Sequence, residues 1–234
     1  MKSTVIAATP QELIQALKGA LIVSCQASAN HPMRDTGTIA RLARSALLGG
    51  AHGLRINSPE DIRAVRALTD LPIIGLYKEV GIRRNVITVH RDQAIELAAA
   101  GADIVAVDAT REVFDDIPRA LRRTAAACGL PIMADISNLD EGLQAWDAGV
   151  SFVGTTLSGY TPYTVRDDGR PDLELVSALA KRGVRVIAEG RYSTPAEVAL
   201  AFDYGAFAVV VGGAITDPTA LTRRFASATP RLVQ

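Results

Sequence analysis

Two rhythms of apolar and polar residues alternate along the chain. Short runs rich in β-branched residues recur eight times: LIVSCQ from Leu21, GLRIN from Gly53, PIIGLYK from Pro72, DIVAVDAT from Asp103, PIMADIS from Pro131, FVGTTLS from Phe152, RVIAEGR from Arg185 and FAVVVGGAIT from Phe207. Between them lie segments whose apolar residues repeat every three or four positions, such as TIARLARSALLGG, PEDIRAVRALTD, RDQAIELAAAG, IPRALRRTAAACG, LDEGLQAWDAG, DLELVSALAKRG and TPAEVALAFDYG. The first pattern predicts strands and the second helices. Several helical segments end in glycine, as C-terminal caps do. Strands apolar on both faces and separated by helices imply a parallel sheet, because each return to the same edge needs a crossover. Eight such units predict a closed (β/α)₈ TIM barrel, one α/β domain spanning residues 1–234.

An internal echo supports the barrel. GGAHGLRI, AGADIVAV, AGVSFVGT and YGAFAVVV each set a glycine turn before a strand, at Gly50, Gly101, Gly149 and Gly205, with separations of 51, 48 and 56 residues. Those intervals are about two βα units each, a quarter-barrel repeat. The rival, an open doubly wound sheet, lacks its GxGxxG turn after LIVSCQ. No linker marks a second domain. The longest irregular stretch, SGYTPYTVRDDGRPD from Ser158, directly follows a strand and is expected to be a loop or lid on the active face.

Charge narrows the partners. Lys and Arg together number 25, as do Asp and Glu, so no global field draws the chain to nucleic acid or to an anionic membrane surface. The 5% aromatic content argues against a base-stacking platform, while 48% hydrophobic residues are enough for a large core. Cys25 and Cys128 stand far apart with no CxxC spacing, so neither a disulfide framework nor a zinc site is expected. His31, His52 and His90 show no HxH or HExxH pattern, and no metal is expected. The opening segment is broken by Gln11, Glu12, Gln15 and Lys18, unlike a signal peptide, and no run approaches the ~18 apolar residues of a membrane span. A cytoplasmic location is expected.

Barrel chemistry sits at the C-terminal ends of the strands. The polar residues there are Gln26, Arg55, Lys78, Asp108, Asp135, Thr155 with Thr156, and Glu189. Lys78 after PIIGLY is a candidate base or Schiff-base nucleophile if desolvation or Arg55 pushes it towards the neutral amine; the plain alternative is a surface lysine paired with Glu79. Glu189 and Asp135 are candidate acid/base partners or a structural ion pair. Arg55 either clamps a substrate oxygen or neutralises one of those carboxylates. Asp108 is a ligand group or a cap for the loop at Thr110, and Cys25 reads as inert packing. EGR at Glu189 to Arg191, with Gly212 and Gly213 in VVVGGAI, resembles an anion seat, since the loops after the last two strands usually hold phosphate in such barrels. The alternative for the glycine pair is a tight strand exit needing positive φ.

Taken together, SCQA at Ser24, LRIN around Arg55, PIIGLYK, DIVAVDAT, MADIS, FVGTTLSGYTPYT, VIAEGRYSTP and AVVVGGAIT resemble the N-acetylmannosamine-6-phosphate 2-epimerase family, from about Leu21 to Phe225. The resemblance implies an isomerase interconverting N-acetylmannosamine 6-phosphate and N-acetylglucosamine 6-phosphate in amino-sugar and sialic acid catabolism. It implies no cofactor. Lys78 matches the proton-transfer lysine, Glu189 the carboxylate of ring opening or proton shuttling, and Asp135, Gln26, Arg55, Thr155 and Tyr160 the sugar-facing set. Gly190, Arg191, Gly212 and Gly213 match the phosphate end. A homodimer is implied as well, with PTALTRRFASATPRLVQ as a candidate interface helix. Two positions depart from the family pattern. Asp217 stands where many members carry a phosphate-binding arginine, leaving Arg191, Arg223 or Arg224 to compensate. EVGIRRNVITVHRDQ replaces the commoner lysine–arginine continuation after Lys78. The competing functions are a Schiff-base lyase or ring isomerase acting on another phosphosugar, and a sugar-phosphate binding protein without turnover.

Overall fold

Alternate residues of each strand enter two different cores, and that alternation positions everything polar. The computed structural model describes residues 9–81, 83–166 and 168–230. The beginning of the opening segment, at residues 1–8, and the last four residues of the C-terminal segment lie outside them. Ten strands form: β1 (Leu21–Cys25), β2 (Gly53–Asn57), β3 (Ile73–Leu76), β4 (Lys78–Val80), β5 (Asn85–Ile87), β6 (Ile104–Asp108), β7 (Ile132–Asp135), β8 (Phe152–Gly154), β9 (Val186–Glu189) and β10 (Ala208–Val211). Eight of them close a parallel barrel in the order β1-β2-β3-β6-β7-β8-β9-β10, and β4 and β5 make a separate antiparallel hairpin. The helices are α1 (Pro10–Leu17), α2 (Thr36–Leu48), α3 (Pro59–Arg66), α4 (Arg91–Ala100), α5 (Ile117–Cys128), α6 (Leu139–Asp147), α7 (Leu173–Ala180), α8 (Pro195–Asp203), α9 (Gly213–Thr216) and α10 (Pro218–Ala226). None of these helices is long and apolar enough to cross a membrane.

Leu54 and Ile56, Val105 and Val107, and Val186 and Ala188 point outward into the layer shared with the helices. Ile22, Ile74, Ile104, Met133, Phe152, Ile187 and Val210 fill the barrel interior. α1 belongs to that interior, because its Leu13 and Leu17 join the same cluster and seal the N-terminal end. Thr9 and Glu12 fix its start through a capping box. Gly53 has no side chain where Leu17 arrives: a Cβ there would stand 3.2 Å from Leu17 Cδ2. Sequence periodicity alone does not pick out α1, which is eight residues long.

The four repeat glycines all adopt left-handed backbone, with φ of 91° at Gly50, 103° at Gly101, 90° at Gly149 and 93° at Gly205. Each ends an even-numbered helix (α2, α4, α6, α8) and turns the chain into the next barrel strand, a step that glycine makes without Cβ strain. The third predicted strand differs from its forecast, since β3 stops at Leu76 and Lys78 opens the hairpin. Tyr77 and Thr88 explain the break: Thr88 N–H donates to the Tyr77 carbonyl at 2.7 Å, and Tyr77 N–H donates to Thr88 Oγ1 at 3.0 Å.

Candidate active site

Counting inward from the filled interior, the same parity that places Ile22 inside brings Ser24 to the mouth. It does likewise for Arg55 on β2, Asp108 on β6, Asp135 on β7, Thr156 beyond β8, Glu189 on β9 and Gly212 beyond β10. Register aligns them: Ser24 lies beside Arg55, Asp108 beside Asp135, and Glu189 beside Val210. Above this layer opens a cavity of about 660 Å³ whose lining includes Lys78, Thr156, Tyr160, Glu189, Gly190, Arg191, Ser193, Gly212, Gly213 and Arg224. That volume suits a small polar ligand.

Arg55 is the hub below the cavity. Its side chain is 1% exposed, and Nη2 donates to Asp135 Oδ2 at 2.5 Å. Nη1 reaches Asp135 Oδ1 and Thr156 Oγ1, each at 3.2 Å, and also pairs with Glu189 Oε2. Thr156 Oγ1 lies 2.6 Å from Asp135 Oδ1 and 3.0 Å from Glu189 Oε2, so one hydroxyl ties the two carboxylates together. Burial alone would lower the Arg55 pKa, but the two carboxylates outweigh it and keep the guanidinium charged. Burial pushes the Glu189 carboxyl above the usual carboxylate range; Arg55 opposes that shift and the neighbouring Asp135 charge adds to it. Gly154 leaves the network its room, since a Cβ there would collide with Met133 Cε and stand 2.9 Å from Asp135 Oδ1.

Lys78 is solvent-accessible through the cavity while protein atoms crowd it elsewhere. Its amine pKa is lowered, first by this desolvation and then by the Arg55 charge, with Glu189 and Asp135 pulling the other way. Its backbone N–H donates to Asn57 Oδ1 at 2.8 Å, which anchors the start of the hairpin. Glu79 meets His90 Nε2 at 3.6 Å rather than Lys78.

The other candidates are placed as follows. Gln26 donates to Ser24 Oγ at 2.8 Å, and its Oε1 is buried with no partner among the described residues. Thr155 is turned away from the cavity, because its hydroxyl accepts from Glu189 N–H at 3.0 Å and donates to the Glu189 carbonyl at 2.9 Å; Thr156 lines the cavity in its stead. Strand parity from Phe152 through Gly154 distinguishes the two threonines in the sequence itself. Arg191 takes φ of 63° beside Gly190 at 110°, and its guanidinium donates to the carbonyls of Arg170 at 2.6 Å and Ser158 at 2.7 Å. It thereby fastens the irregular stretch after Ser158, and it lies over the Tyr160 ring. Gly212 and Gly213 line the cavity without positive φ, so a left-handed strand exit is not their reason. Asp217 accepts from Ala220 N–H at 2.9 Å as the cap of α10 and pairs with His31 Nε2 at 3.2 Å; it is not among the lining residues. Arg223 is outside the lining too, whereas Arg224 belongs to it. Asp108 takes the capping role towards Thr110, 2.7 Å from its hydroxyl. Cys25 is fully buried, and that burial raises its thiol to about 12.

Strand-end reading misses Arg84, which also lines the cavity. From the hairpin turn it donates to Asp108 Oδ2 at 2.6 Å, to Glu112 Oε2 at 2.8 Å and to Thr110 Oγ1 at 2.9 Å. The signal for it was the unusual basic stretch after Lys78, although nothing local reveals that the turn folds back onto β6.

A family model described as "Putative N-acetylmannosamine-6-phosphate epimerase" matches residues 39–231. Curated relatives named as N-acetylmannosamine-6-phosphate 2-epimerases include one from Yersinia pseudotuberculosis serotype O:3 (strain YPIII), 48% identical over 86% of this chain and 85% of that protein. One from Yersinia pestis (strain Pestoides F) matches with the same identity and shares. Among solved structures, the N-acetylmannosamine-6-phosphate 2-epimerase of Clostridium perfringens superposes with a TM-score of 0.87 at 36% identity, covering 98% of this chain and all of that one.

Proposed function

Because the chain belongs to the N-acetylmannosamine-6-phosphate epimerase family, we propose that it interconverts N-acetylmannosamine 6-phosphate and N-acetylglucosamine 6-phosphate by moving the C2 proton through Lys78. The observation that carries this role is a lysine at the cavity with its amine pKa lowered by desolvation and Arg55, set in one lining with a buried acid of raised pKa, Glu189. Opposed shifts of this kind mark a paired acid and base.

The chemistry follows from the substrate. Ring opening exposes an aldehyde at C1, which acidifies the C2 proton. Glu189 handles the proton exchanged with the ring oxygen. Lys78, in its neutral amine form, takes the C2 proton and becomes ammonium, while the electron pair moves into the enolate of the C1 aldehyde, C2 keeping its acetamido nitrogen. Return of a proton to the opposite face of C2, after the intermediate turns in the cavity, gives the epimer and restores the amine. Asp135, Arg55 and Thr156 hold Glu189 in place, Tyr160 bounds the sugar, Gln26 stands outside the lining and supports Ser24, and the backbone of Gly190, Gly212 and Gly213 with Arg191 borders the phosphate. The reading needs no cofactor. It is completed by a cytoplasmic homodimer, supported by α10, which buries none of its own residues and leaves Phe225 74% exposed.

Incubation with N-acetylmannosamine 6-phosphate in deuterated water, followed at C2 by proton NMR, tests the proposal. Deuterated N-acetylglucosamine 6-phosphate is expected from the unaltered protein, and a Lys78→Ala variant should lose at least ~10³-fold of both exchange and turnover. Normal exchange in that variant would remove Lys78 from the chemistry. The same neutral amine also suits a Schiff-base lyase, and borohydride inactivation in the presence of substrate would turn the assignment that way.

A further inference from the structure

Among the described residues, four cationic side chains reach the cavity: Lys78, Arg84, Arg191 and Arg224. Three are committed. Lys78 stands at the Glu189 end, Arg84 is saturated by Asp108, Glu112, Thr110 and the Asn85 carbonyl, and Arg191 is tied to two backbone carbonyls across the neighbouring loop. Arg224 is exposed, and among the described residues its guanidinium has one acceptor, the Ser193 carbonyl at 3.1 Å. No carboxylate lies within ion-pair distance of it among those residues.

Its position is specific. Ala220, Leu221 and Arg224 present one face of α10 to the cavity, beside Gly212, Gly213 and Ala214. The bond to Ser193 carries the guanidinium across to the loop that begins at Gly190, so Arg224 spans the two glycine-bearing loops. Asp217, at the start of the same helix, is turned to His31 and to the helix backbone, and Glu189 is the carboxylate among the lining residues. Arg224 therefore brings to the cavity a cation with most of its five donors free among the described residues, in the forked geometry that suits phosphate oxygens.

We propose that Arg224 recognises the phosphate of the substrate and makes the site prefer phosphorylated over unphosphorylated N-acetyl amino sugars. This rests on the epimerase reading for the identity of the sugar, but not for the anion itself. The experiment compares the unaltered protein with Arg224→Ala, Arg224→Gln and Arg223→Ala. It reads KM and kcat for N-acetylmannosamine 6-phosphate and, without turnover, the affinity for inorganic phosphate by calorimetry. Arg224→Ala should raise KM by about 10- to 100-fold and weaken phosphate by a similar factor, as loss of a charge-assisted contact implies, with kcat changed less than about threefold. Arg224→Gln keeps a donor for the Ser193 carbonyl, so it should behave like alanine if charge is what matters; a Gln variant with normal KM would reduce Arg224 to a strut and overturn the proposal. Arg223→Ala should match the unaltered protein. Turnover with unchanged KM and phosphate affinity in Arg224→Ala would refute the proposal and leave the epimerase reading intact. Phosphate binding that depends on Arg224, without turnover, would do the reverse. Absence of both phosphate binding and turnover in the unaltered protein would overturn the two together.

Discussion

At the scale of single residues, the site is a contest between burial and pairing. Arg55 sits in the barrel with two carboxylates on it, and its removal strands both. Replacing one partner of such a group costs about 3–5 kcal/mol, so Arg55→Met should lower the unfolding free energy measured with urea at pH 7 by that much. The loss should shrink in acid. With the guanidinium gone, the Glu189 carboxyl, already raised by burial, is raised further, so the variant is relatively most stable where Glu189 is protonated and weakens as pH climbs through the raised value. Lys78 works in the opposite sense. Its folded pKa is lowered, so the charged form is penalised at every pH below that value, and the penalty fades as pH rises towards the unfolded value near ~10.4. Lys78→Met should therefore stabilise the fold slightly at pH 7 while abolishing turnover, and urea unfolding at pH 7 and pH 10 should show the gain shrinking at the higher value. Arg55, Lys78, Asp135 and Glu189 are legible in the sequence because ionisable residues ending apolar strands have few other reasons to be there. Thr155 against Thr156 is a matter of parity, which the string FVGTTLS contains but a list of strand-end residues ignores. Arg84 and Arg224 are not legible this way, since their places depend on a turn and a helix returning to the mouth from elsewhere.

Among the elements, the hairpin of β4 and β5 has the largest functional consequence. It begins at Lys78 and pairs Lys78 with Ile87, and Arg84 latches its turn onto Asp108, which is fully buried. A reactive amine displaced by about 1 Å can cost on the order of 10²-fold in rate. Arg84→Gln is accordingly expected to reduce kcat by about 10- to 100-fold and to speed amide exchange across residues 78–88. The global unfolding midpoint should fall less than in Arg55→Met, because Asp108 already has a raised pKa from burial and can take up a proton when its partner is lost. Unchanged exchange in the hairpin would show that the latch does not order it. Sequence periodicity conveys the regular βα units well, since each carries its own helix face and its own glycine cap. It conveys this hairpin poorly, because EVGIRRNVITVH has short strands without a clear two-residue rhythm and owes its form to Thr88, Asn57 and Asp108 in other parts of the fold.

For the whole molecule, the barrel separates stability from chemistry by its two ends. α1 brings Leu13 and Leu17 to the N-terminal end, on the interior cluster of Ile22, Ile74 and Ile104, while the residues proposed for the reaction lie at the opposite end. Leu17→Ala is expected to cost about 2–5 kcal/mol in urea unfolding and to leave KM and kcat unaltered at temperatures where the protein stays folded. A changed KM would mean that the two ends are coupled through the interior. The closed order of eight strands was legible because the repeat at Gly50, Gly101, Gly149 and Gly205 counts units rather than residues. The plug at the bottom was not, since an eight-residue amphipathic helix looks the same whether it caps a barrel or lies on a surface.

Because side chains fill the barrel interior between α1 and the strand ends, no passage runs through the barrel among the described residues, and the cavity opens on the mouth side. Substrate enters and product leaves by the same opening, so the two sugars, which differ only in the configuration of one carbon and carry the same phosphate, queue for one berth. Each is the other's natural competitor, and the net traffic follows whichever sugar phosphate the surrounding reactions allow to accumulate.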